Sequence, residues 1–340
     1  MSRPRAAVFA LPLLLAALVA DAGPPPAPAH GAKSAPLGSA PPASGPTGSG
    51  PTGTPAGGRA PVPGVVVRAP EPRFVAPTRR DSIGRIWAPV MIDGRGPFRL
   101  VLDTGASGSA ITAQVAAALG LTPDFAHPVL VRGVTGNAIV ATVRASSLAV
   151  GDLEIRSVTL PIVADALGGA DGVLGTDGFA DKRVDIDFLH DRITIARSHG
   201  RSAPIGFVTL SLERSGPGLL MVAGSVDEVK VHAVIDTGAQ RSIGNEALRA
   251  ALVSRHAQGT PDKIFDVTTS VQGGEMFESP PIALGGIEIR GARITYGEVR
   301  IFEHWHLTRE PALLIGMDAL GLLDALIIDY RLRELQLRPH

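Results

Sequence analysis

The chain has 340 residues, of which 45% are hydrophobic and 19% charged, and its 32 Lys and Arg balance its 32 Asp and Glu. This length is enough for two ordinary domains with hydrophobic cores. A net charge of zero argues against a nucleic-acid-binding protein or a polybasic membrane-surface protein. The lack of cysteine excludes disulfide scaffolds, cysteine-zinc sites, thiol nucleophiles and iron–sulfur clusters.

The N-terminal segment 1–22 has the layout of a secretory signal peptide. Arg3 and Arg5 precede an apolar run over 6–20, and Ala20-Asp21-Ala22 forms a cleavage site of the small-x-small type. The alternative is an uncleaved anchor, but the run is shorter than the ~20 apolar residues that span a bilayer. We therefore expect an exported protein, periplasmic or extracellular, with no stable membrane insertion after cleavage.

The next segment, 23–72, has the composition of a disordered linker. It contains 14 prolines and 10 glycines but no Phe, Trp or Tyr. Such a segment buries too little apolar surface to offset the entropy lost on ordering. Folding and function are therefore expected from residue 73 onwards.

The remaining chain contains an internal repeat. Residues 86–106 align without a gap on 219–239, and each block reads as two strands that lead into Asp-Thr-Gly-Ala. In both copies a short helical pattern follows, over Ile111 to Leu119 and over Asn245 to Val253.

A second correspondence lies downstream, where Gly175 and Gly316 each follow two aliphatic residues. Each of these glycines precedes a terminal strand pattern, at 184–195 and at 326–337. The repeat predicts two homologous, mostly β lobes, at 73–200 and 201–340.

The two Asp-Thr-Gly loops suggest a paired carboxylate site. A carboxylate at the end of a buried strand is costly unless it is hydrogen-bonded or functional. If a pseudo-two-fold axis relates the lobes, it brings Asp103 and Asp236 together. Two such charges about 3 Å apart repel by about 5 kcal/mol at an effective dielectric of about 20, so the pair holds one proton between them. One carboxyl can then take a proton from water while the other donates one to a carbonyl oxygen.

The neighbouring residues suit such a pair. Gly105 and Gly238 let the backbone approach a carboxylate closely. Thr104 and Thr237 carry hydroxyls that can form hydrogen bonds across the interface between the lobes. The loops are therefore expected to hold each other in register.

Residues 100–107, LVLDTGAS, and 233–240, AVIDTGAQ, together with Gly175 and Gly316, resemble the retropepsin-like aspartic proteases, and in particular bacterial enzymes with both lobes on one chain. The resemblance implies the bilobal aspartic-protease fold, with two β-barrel lobes related by pseudo-two-fold symmetry. It also implies that Asp103 and Asp236 are the catalytic dyad and that the two threonines clasp the lobes. Alanine follows each Asp-Thr-Gly, as in retroviral enzymes, where pepsins have a hydroxyl that bonds the carboxylate.

The resemblance further implies β-hairpin flaps that bind the substrate. In the first lobe the candidate flap is 131–143, with its turn at Val134, Thr135 and Gly136. In the second lobe it is 267–277, with its turn at Gly273 and Gly274.

Other motifs indicate no further chemistry. His304-Trp305-His306 lacks a nearby third ligand, so we assign no metal and interpret Trp305 as the wall of a substrate subsite. The sequence contains no HExxH, GxSxG or Walker-type motif.

The expected function is that of an exported aspartic endopeptidase that hydrolyses polypeptides as a monomer, without a cofactor. The alternative is a catalytically silent two-lobed peptide-binding or scaffold protein with the same fold. Removal of part of 23–85 as an inhibitory pro-segment is a third possibility, based on position alone.

Overall fold

The computed structural model describes residues 19–21, 75–77, 84–215, 219–253 and 258–340. The predicted linker lies outside the described residues, and so does the predicted signal peptide apart from 19–21. Two short N-terminal strands are described, β1 (Val19–Asp21) and β2 (Val75–Pro77). No helix among the described residues is long and apolar enough to cross a bilayer.

The first half of the fold contains nine strands and one short helix. In chain order they are β3 (Trp87–Ile92), β4 (Arg95–Leu102), β5 (Ala110–Thr112), α1 (Ala113–Leu119), β6 (Asp124–Arg132), β7 (Asn137–Val150), β8 (Leu153–Val163), β9 (Gly172–Leu174), β10 (Lys182–Asp187) and β11 (Arg192–Arg197). Helix α1 occupies the first predicted helical pattern, with Thr112 capping its start and Gly120, at φ 71°, ending it.

The described residues of the second half form thirteen strands and three short helices. Its elements are β12 (Val208–Ser211), β13 (Glu213–Ser215), β14 (Leu219–Val226), β15 (Val229–Ile235), β16 (Ser242–Gly244), α2 (Glu246–Leu252), β17 (Thr260–Phe265), β18 (Val271–Glu278), β19 (Ile282–Leu284), β20 (Ile287–Ile289), β21 (Arg293–Gly297), α3 (Ile301–His304), β22 (Ala312–Ile315), α4 (Met317–Leu320), β23 (Ala325–Asp329) and β24 (Glu334–Arg338). Asn245 caps the start of α2.

The strand pairings of the two halves correspond. In the first half β9 runs parallel to β4 and antiparallel to β5, and β5 runs parallel to β8. In the second half β22 relates to β15 and β16 in the same way, and β16 runs parallel to β21. The pairing of β7 with β8 closes six strands of the first half into a barrel. The predicted mostly β fold with two related halves is therefore confirmed.

A six-stranded sheet joins the halves, in the order β12-β24-β23-β10-β11-β2. Its centre is the antiparallel pair β10 and β23, one strand from each half. The patterns at 184–195 and 326–337, predicted as single strands, are in fact hairpins. Asp191 and Arg333 adopt positive φ at their turns, which reverse the chain within each pattern.

The hydrophobic core extends through both halves. Leu100 and Leu102 of β4 and Ala233 and Ile235 of β15 belong to one large buried cluster. Both strands are therefore anchored just before the point where each runs into its Asp-Thr-Gly loop.

Candidate active site

The first loop leaves the core at Asp103, directly after β4. The amide N–H of Asp103 donates to the carbonyl oxygen of Leu174 in β9 at 3.0 Å, which fixes the start of the loop. The backbone then turns so that the amides of Gly105 and Ala106 both donate to Oδ1 of Asp103, each at 2.9 Å. One carboxylate oxygen is thus held by its own loop, and the other is left for a different partner.

The second loop repeats this arrangement at Asp236. Its amide donates to the carbonyl oxygen of Ile315 in β22 at 3.0 Å. The amides of Gly238 and Ala239 donate to Oδ1 of Asp236 at 2.8 Å and 3.0 Å. The same local sequence, placed at the same position of an equivalent sheet, therefore produces the same carboxylate cradle.

The structure brings the two carboxyl groups together. A β carbon placed on Gly105 would lie 2.6 Å from Oδ2 of Asp236, and one on Gly238 would contact the carboxyl of Asp103. Glycine is therefore required in each loop because the opposite carboxyl occupies that space. Asp103 and Asp236 are only 1% and 0% exposed.

Burial raises the pKa of both carboxyl groups. The pKa of Asp103 rises to about 6, mainly because burial disfavours its charged form. The pKa of Asp236 is also raised well above its ordinary value, first by burial and then by the neighbouring charge of Asp103. The contact between the two side chains lowers the pKa of Asp103 and raises that of Asp236. The charge of Asp103 and this contact therefore both favour the protonated form of Asp236.

The two threonines join the loops reciprocally. The hydroxyl of Thr104 donates to the carbonyl oxygen of Ile235 at 2.6 Å, and that of Thr237 donates to Leu102 at 2.7 Å. Each hydroxyl also accepts from the amide of the opposite threonine, at 3.1 Å and 3.2 Å. Four hydrogen bonds thus cross between the halves next to the carboxyl pair.

The predicted supporting glycines lie behind the loops. Gly175 donates its amide to the hydroxyl of Ser109 at 3.1 Å, and that hydroxyl donates to the carboxylate of Asp177 at 2.6 Å. A β carbon on Gly175 would meet the backbone of Gly108, which explains the glycine. The same contacts recur in the second half between Gly316, Ser242 and Asp318.

The first predicted flap is a hairpin formed by β6 and β7, whose turn contains Val134, Thr135 and Gly136. We call this hairpin, 124–150, the first flap. The second flap, 260–278, is formed by β17 and β18, and its turn lies at 266–270.

The predicted turn at Gly273 and Gly274 is therefore wrong. Both residues lie within β18, paired with Lys263 and Asp262. A β carbon on Gly274 would lie 2.9 Å from the carbonyl oxygen of Tyr296, so close strand packing, and not a turn, accounts for that glycine.

Two residues near the pair had no signal in the sequence. Arg85 is fully buried, donates to the carbonyl oxygen of Leu167 at 2.7 Å, and its charge lowers the pKa of Asp103. Tyr330 packs edge-on against Phe179 with ring centroids 5.3 Å apart. Its pKa is raised by burial and by the charge of Asp103. Arg85 thus partly offsets the cost of an ionised carboxyl in this site.

The His304-Trp305-His306 segment does not form a substrate subsite of the kind predicted. Trp305 is 2% exposed and packs edge-on against Phe302 in a buried cluster, so it does not line an open subsite. Within the described parts of the chain, no group of three or more His, Asp or Glu side chains is placed to hold a metal ion.

Comparisons with known proteins agree with the first half of this site. Residues 88–177 match the sequence model of a family described as aspartyl protease, and the match includes Asp103 and Gly175. No curated protein matches the chain. Among solved structures, the crystal structure of Basic 7S globulin from soybean aligns with a TM-score of 0.45 and 10% identity, over 80% of this chain and 97% of that chain.

Proposed function

We propose that this chain, which carries an aspartyl protease domain at residues 88–177, is an exported aspartic endopeptidase with Asp103 and Asp236 as its catalytic dyad. The observation that carries the proposal is the approach of these two carboxyls to each other at the interface between the halves. Both have the raised pKa that is typical of groups that exchange protons during catalysis.

The chemistry follows from the single proton on the pair. Ionised Asp103 takes a proton from a water molecule, and protonated Asp236 donates its proton to the carbonyl oxygen of the peptide bond. The water oxygen bonds to the carbonyl carbon to give a tetrahedral diol. As the C–N bond breaks, Asp103, now protonated, gives its proton to the leaving nitrogen, and ionised Asp236 takes the proton of one diol hydroxyl, which restores the starting pair. No cofactor is needed for this sequence of steps.

We infer that the substrate is an extended polypeptide, because two β-hairpins border the pair: Val134 of the first flap packs in a cluster with Ala239, and Val267 of the second packs in a cluster with Ala106. Two complete loops on one chain support action as a monomer. Sedimentation of the active species tests this, and activity confined to a dimer would contradict it.

Activity is tested with the full-length protein on a denatured protein and a peptide library, with products identified by mass spectrometry. We expect cleavage that a statine-type inhibitor blocks, and loss of at least about three orders of magnitude in kcat for Asp103→Asn and Asp236→Asn. Asp227→Asn is the matched control, because Asp227 lies exposed in the turn before β15. Full activity in either dyad variant would refute the assignment.

The same assay separates the alternative, a silent peptide-binding protein. The observation that supports this alternative is that both carboxyls lie beneath the flaps and are at most 1% exposed. A silent protein retains peptides without turnover, and its peptide affinity does not respond to a statine-type inhibitor.

Export is proposed from the layout of residues 1–22 and is tested separately. We expect N-terminal sequencing of the secreted or periplasmic protein to begin at Gly23. Retention of Met1 on a membrane-bound form would favour the anchor.

A further inference from the structure

The turns of the two flaps contact each other. Thr135 of the first flap donates its amide to Oδ2 of Asp266 in the second flap at 2.7 Å, and its hydroxyl lies 2.9 Å from the same oxygen. The amide of Gly136 donates to this oxygen at 3.2 Å. One carboxylate oxygen of the second flap thus accepts three hydrogen bonds from the first flap.

The other oxygen of Asp266 is held by its own turn. Oδ1 accepts from the amide of Thr268 at 2.7 Å and from the hydroxyl of the same residue. Asp266 is 1% exposed, so its charge is satisfied by protein donors and not by water. A buried carboxylate is stable only with such donors, so separating the flaps requires water to replace them.

The internal repeat explains why only one flap carries this carboxylate. The turn sequence GVTG at 133–136 aligns with DVTT at 266–269, so Gly133 is the counterpart of Asp266. A β carbon on Gly133 would collide with the carboxyl of Asp266. Because position 133 of the first flap is glycine, the carboxylate of Asp266 in the second flap can occupy the adjoining space.

The two turns also exchange apolar side chains, and this packing places them over the Asp-Thr-Gly loops. Val134 of the first flap is 0% exposed and packs in a cluster with Ala239 and Ile264 of the second half. Its counterpart Val267 is 4% exposed and packs in a cluster with Ala106 of the first half. Each valine is thus buried in the half to which it does not belong, and the flaps cannot part without exposing both.

We propose that Asp266 is a positioning residue that fastens the two flaps over the carboxyl pair, and that a peptide reaches the pair only after its bonds to Thr135 and Gly136 break. This rests on the proposed function for the identity of the ligand. The closed arrangement excludes water from the site, and its opening is a step that precedes binding.

The first experiment measures amide hydrogen exchange in the full-length protein without any ligand. In Asp266→Ala we expect residues 133–136 to exchange at least about tenfold faster, while β15 and β22 exchange as in the wild type. The matched control is Asp262→Asn, since Asp262 is a carboxylate of the same hairpin whose partners Arg241 and Thr295 both lie in the second half. Unchanged exchange at 133–136 in Asp266→Ala would overturn the proposal.

The second experiment exchanges the two residues. Asp266→Gly removes the carboxylate, Gly133→Asp places two carboxylates in one space, and the double variant moves a single carboxylate to the first flap. We expect fast exchange of the flap turns in each single variant and protection within about threefold of the wild type in the double variant. Failure of the double variant to regain protection, when its other strands remain protected, would contradict the fastening role.

The third experiment measures the rate at which a statine-type inhibitor associates. Because opening precedes binding, we expect association to be at least about fivefold faster in Asp266→Ala and to return towards the wild-type rate in the double variant. If Asp266→Ala only disrupted the local structure, the inhibitor would associate more slowly, and that result would count against the proposal. If the inhibitor binds no variant, the proposed function fails while the exchange experiments still decide the role of Asp266.

Discussion

The hydroxyl of Thr104 lies 2.6 Å from the carbonyl oxygen of Ile235, one residue before the second aspartate of the pair. A residue that follows one carboxyl therefore sets the backbone that carries the other. Because Thr237 makes the equivalent bond to Leu102, neither loop can shift without moving its partner.

Replacement of Thr104 by valine tests this coupling. The variant keeps the shape of the side chain but leaves the buried carbonyl of Ile235 and the amide of Thr237 without their partner. We expect the free energy of unfolding to fall by about 1–3 kcal/mol. Chemical denaturation measures the change, with Thr159→Val on an exposed face of β8 as the control. Equal stability of the two variants would show that the bonds contribute little.

The close approach of the loops gives a second prediction. Gly105→Ala places a β carbon 2.6 Å from Oδ2 of Asp236, so the carboxyls must move apart. We expect a loss of about 1–3 kcal/mol in stability together with a fall in kcat. In the same loop a β carbon on Gly108 would have nothing within 4 Å, so Gly108→Ala is the control. Thermal unfolding and peptide hydrolysis are measured for both, and tolerance of alanine at 105 would contradict the facing geometry.

The raised pKa values predict how stability depends on pH. A carboxyl whose pKa is higher in the folded protein than in the unfolded chain favours folding at low pH, and that contribution is lost as pH rises through the folded pKa. For Asp103 the rise in pKa from 3.8 to about 6 corresponds to roughly 3 kcal/mol lost well above pH 6. We therefore expect Asp103→Asn to be more stable than the wild type at alkaline pH and not at pH 4.

A control is available in a carboxyl whose contribution to stability changes with pH in the opposite direction. Asp181 has a lowered pKa because of its hydrogen bond to Lys182, so its contribution is present at neutral pH and is lost on acidification. Asp181→Asn should therefore lower the melting temperature at neutral pH and have no effect in acid. A wild-type protein that becomes steadily more stable above pH 6 relative to Asp103→Asn would contradict the raised pKa.

Activity should also depend on pH in a defined way. Below about pH 6 both carboxyls are protonated and no base is present, so kcat/KM should rise as pH increases through about 6, the pKa of Asp103. At higher pH the loss of the second proton, from Asp236, removes the acid and activity falls. An enzyme most active in strong acid would refute this order of ionisation.

The alanines that end the two Asp-Thr-Gly-Ala loops offer a further test. It concerns the lower limb of the kcat/KM profile, the range of pH in which activity rises. Ala239 is 0% exposed and brings only its backbone amide to Asp236. In Ala239→Ser an added hydroxyl can donate to the carboxyl pair and favour its charged form. We expect the lower limb of the kcat/KM profile to shift towards acid, and an unchanged limb would show that the hydroxyl does not reach the pair.

The repeated parts of the site could be predicted from the sequence, because each carries a local signal twice. The strands that lead into Asp103 and Asp236, the glycines in the loops and the capped helices after them all follow from patterns within about ten residues. Their meeting required only the assumption that equivalent halves pair about an axis.

The parts that could not be predicted depend on contacts between distant residues. Gly273 and Gly274 look like a turn, but Asp266 supplies the turn through its bonds to Thr268, and Gly274 serves the close packing of β18 on β21. An aspartate two residues before a threonine is itself a turn signal. In this segment it indicates a turn at 266–270, whereas the glycines indicate one at 273–274. Arg85 is a single charged residue that precedes a strand. The residues next to it in the sequence do not indicate that it is buried beside Asp103.

The pairing of Gly133 with Asp266 limits how the two halves can be combined. A dimer built from two copies of the first half would bring two glycines together and have no acceptor between its hairpins. A dimer of the second half would force two negative charges into one space. This closure therefore needs one copy of each half, and neither half can stand in for the other.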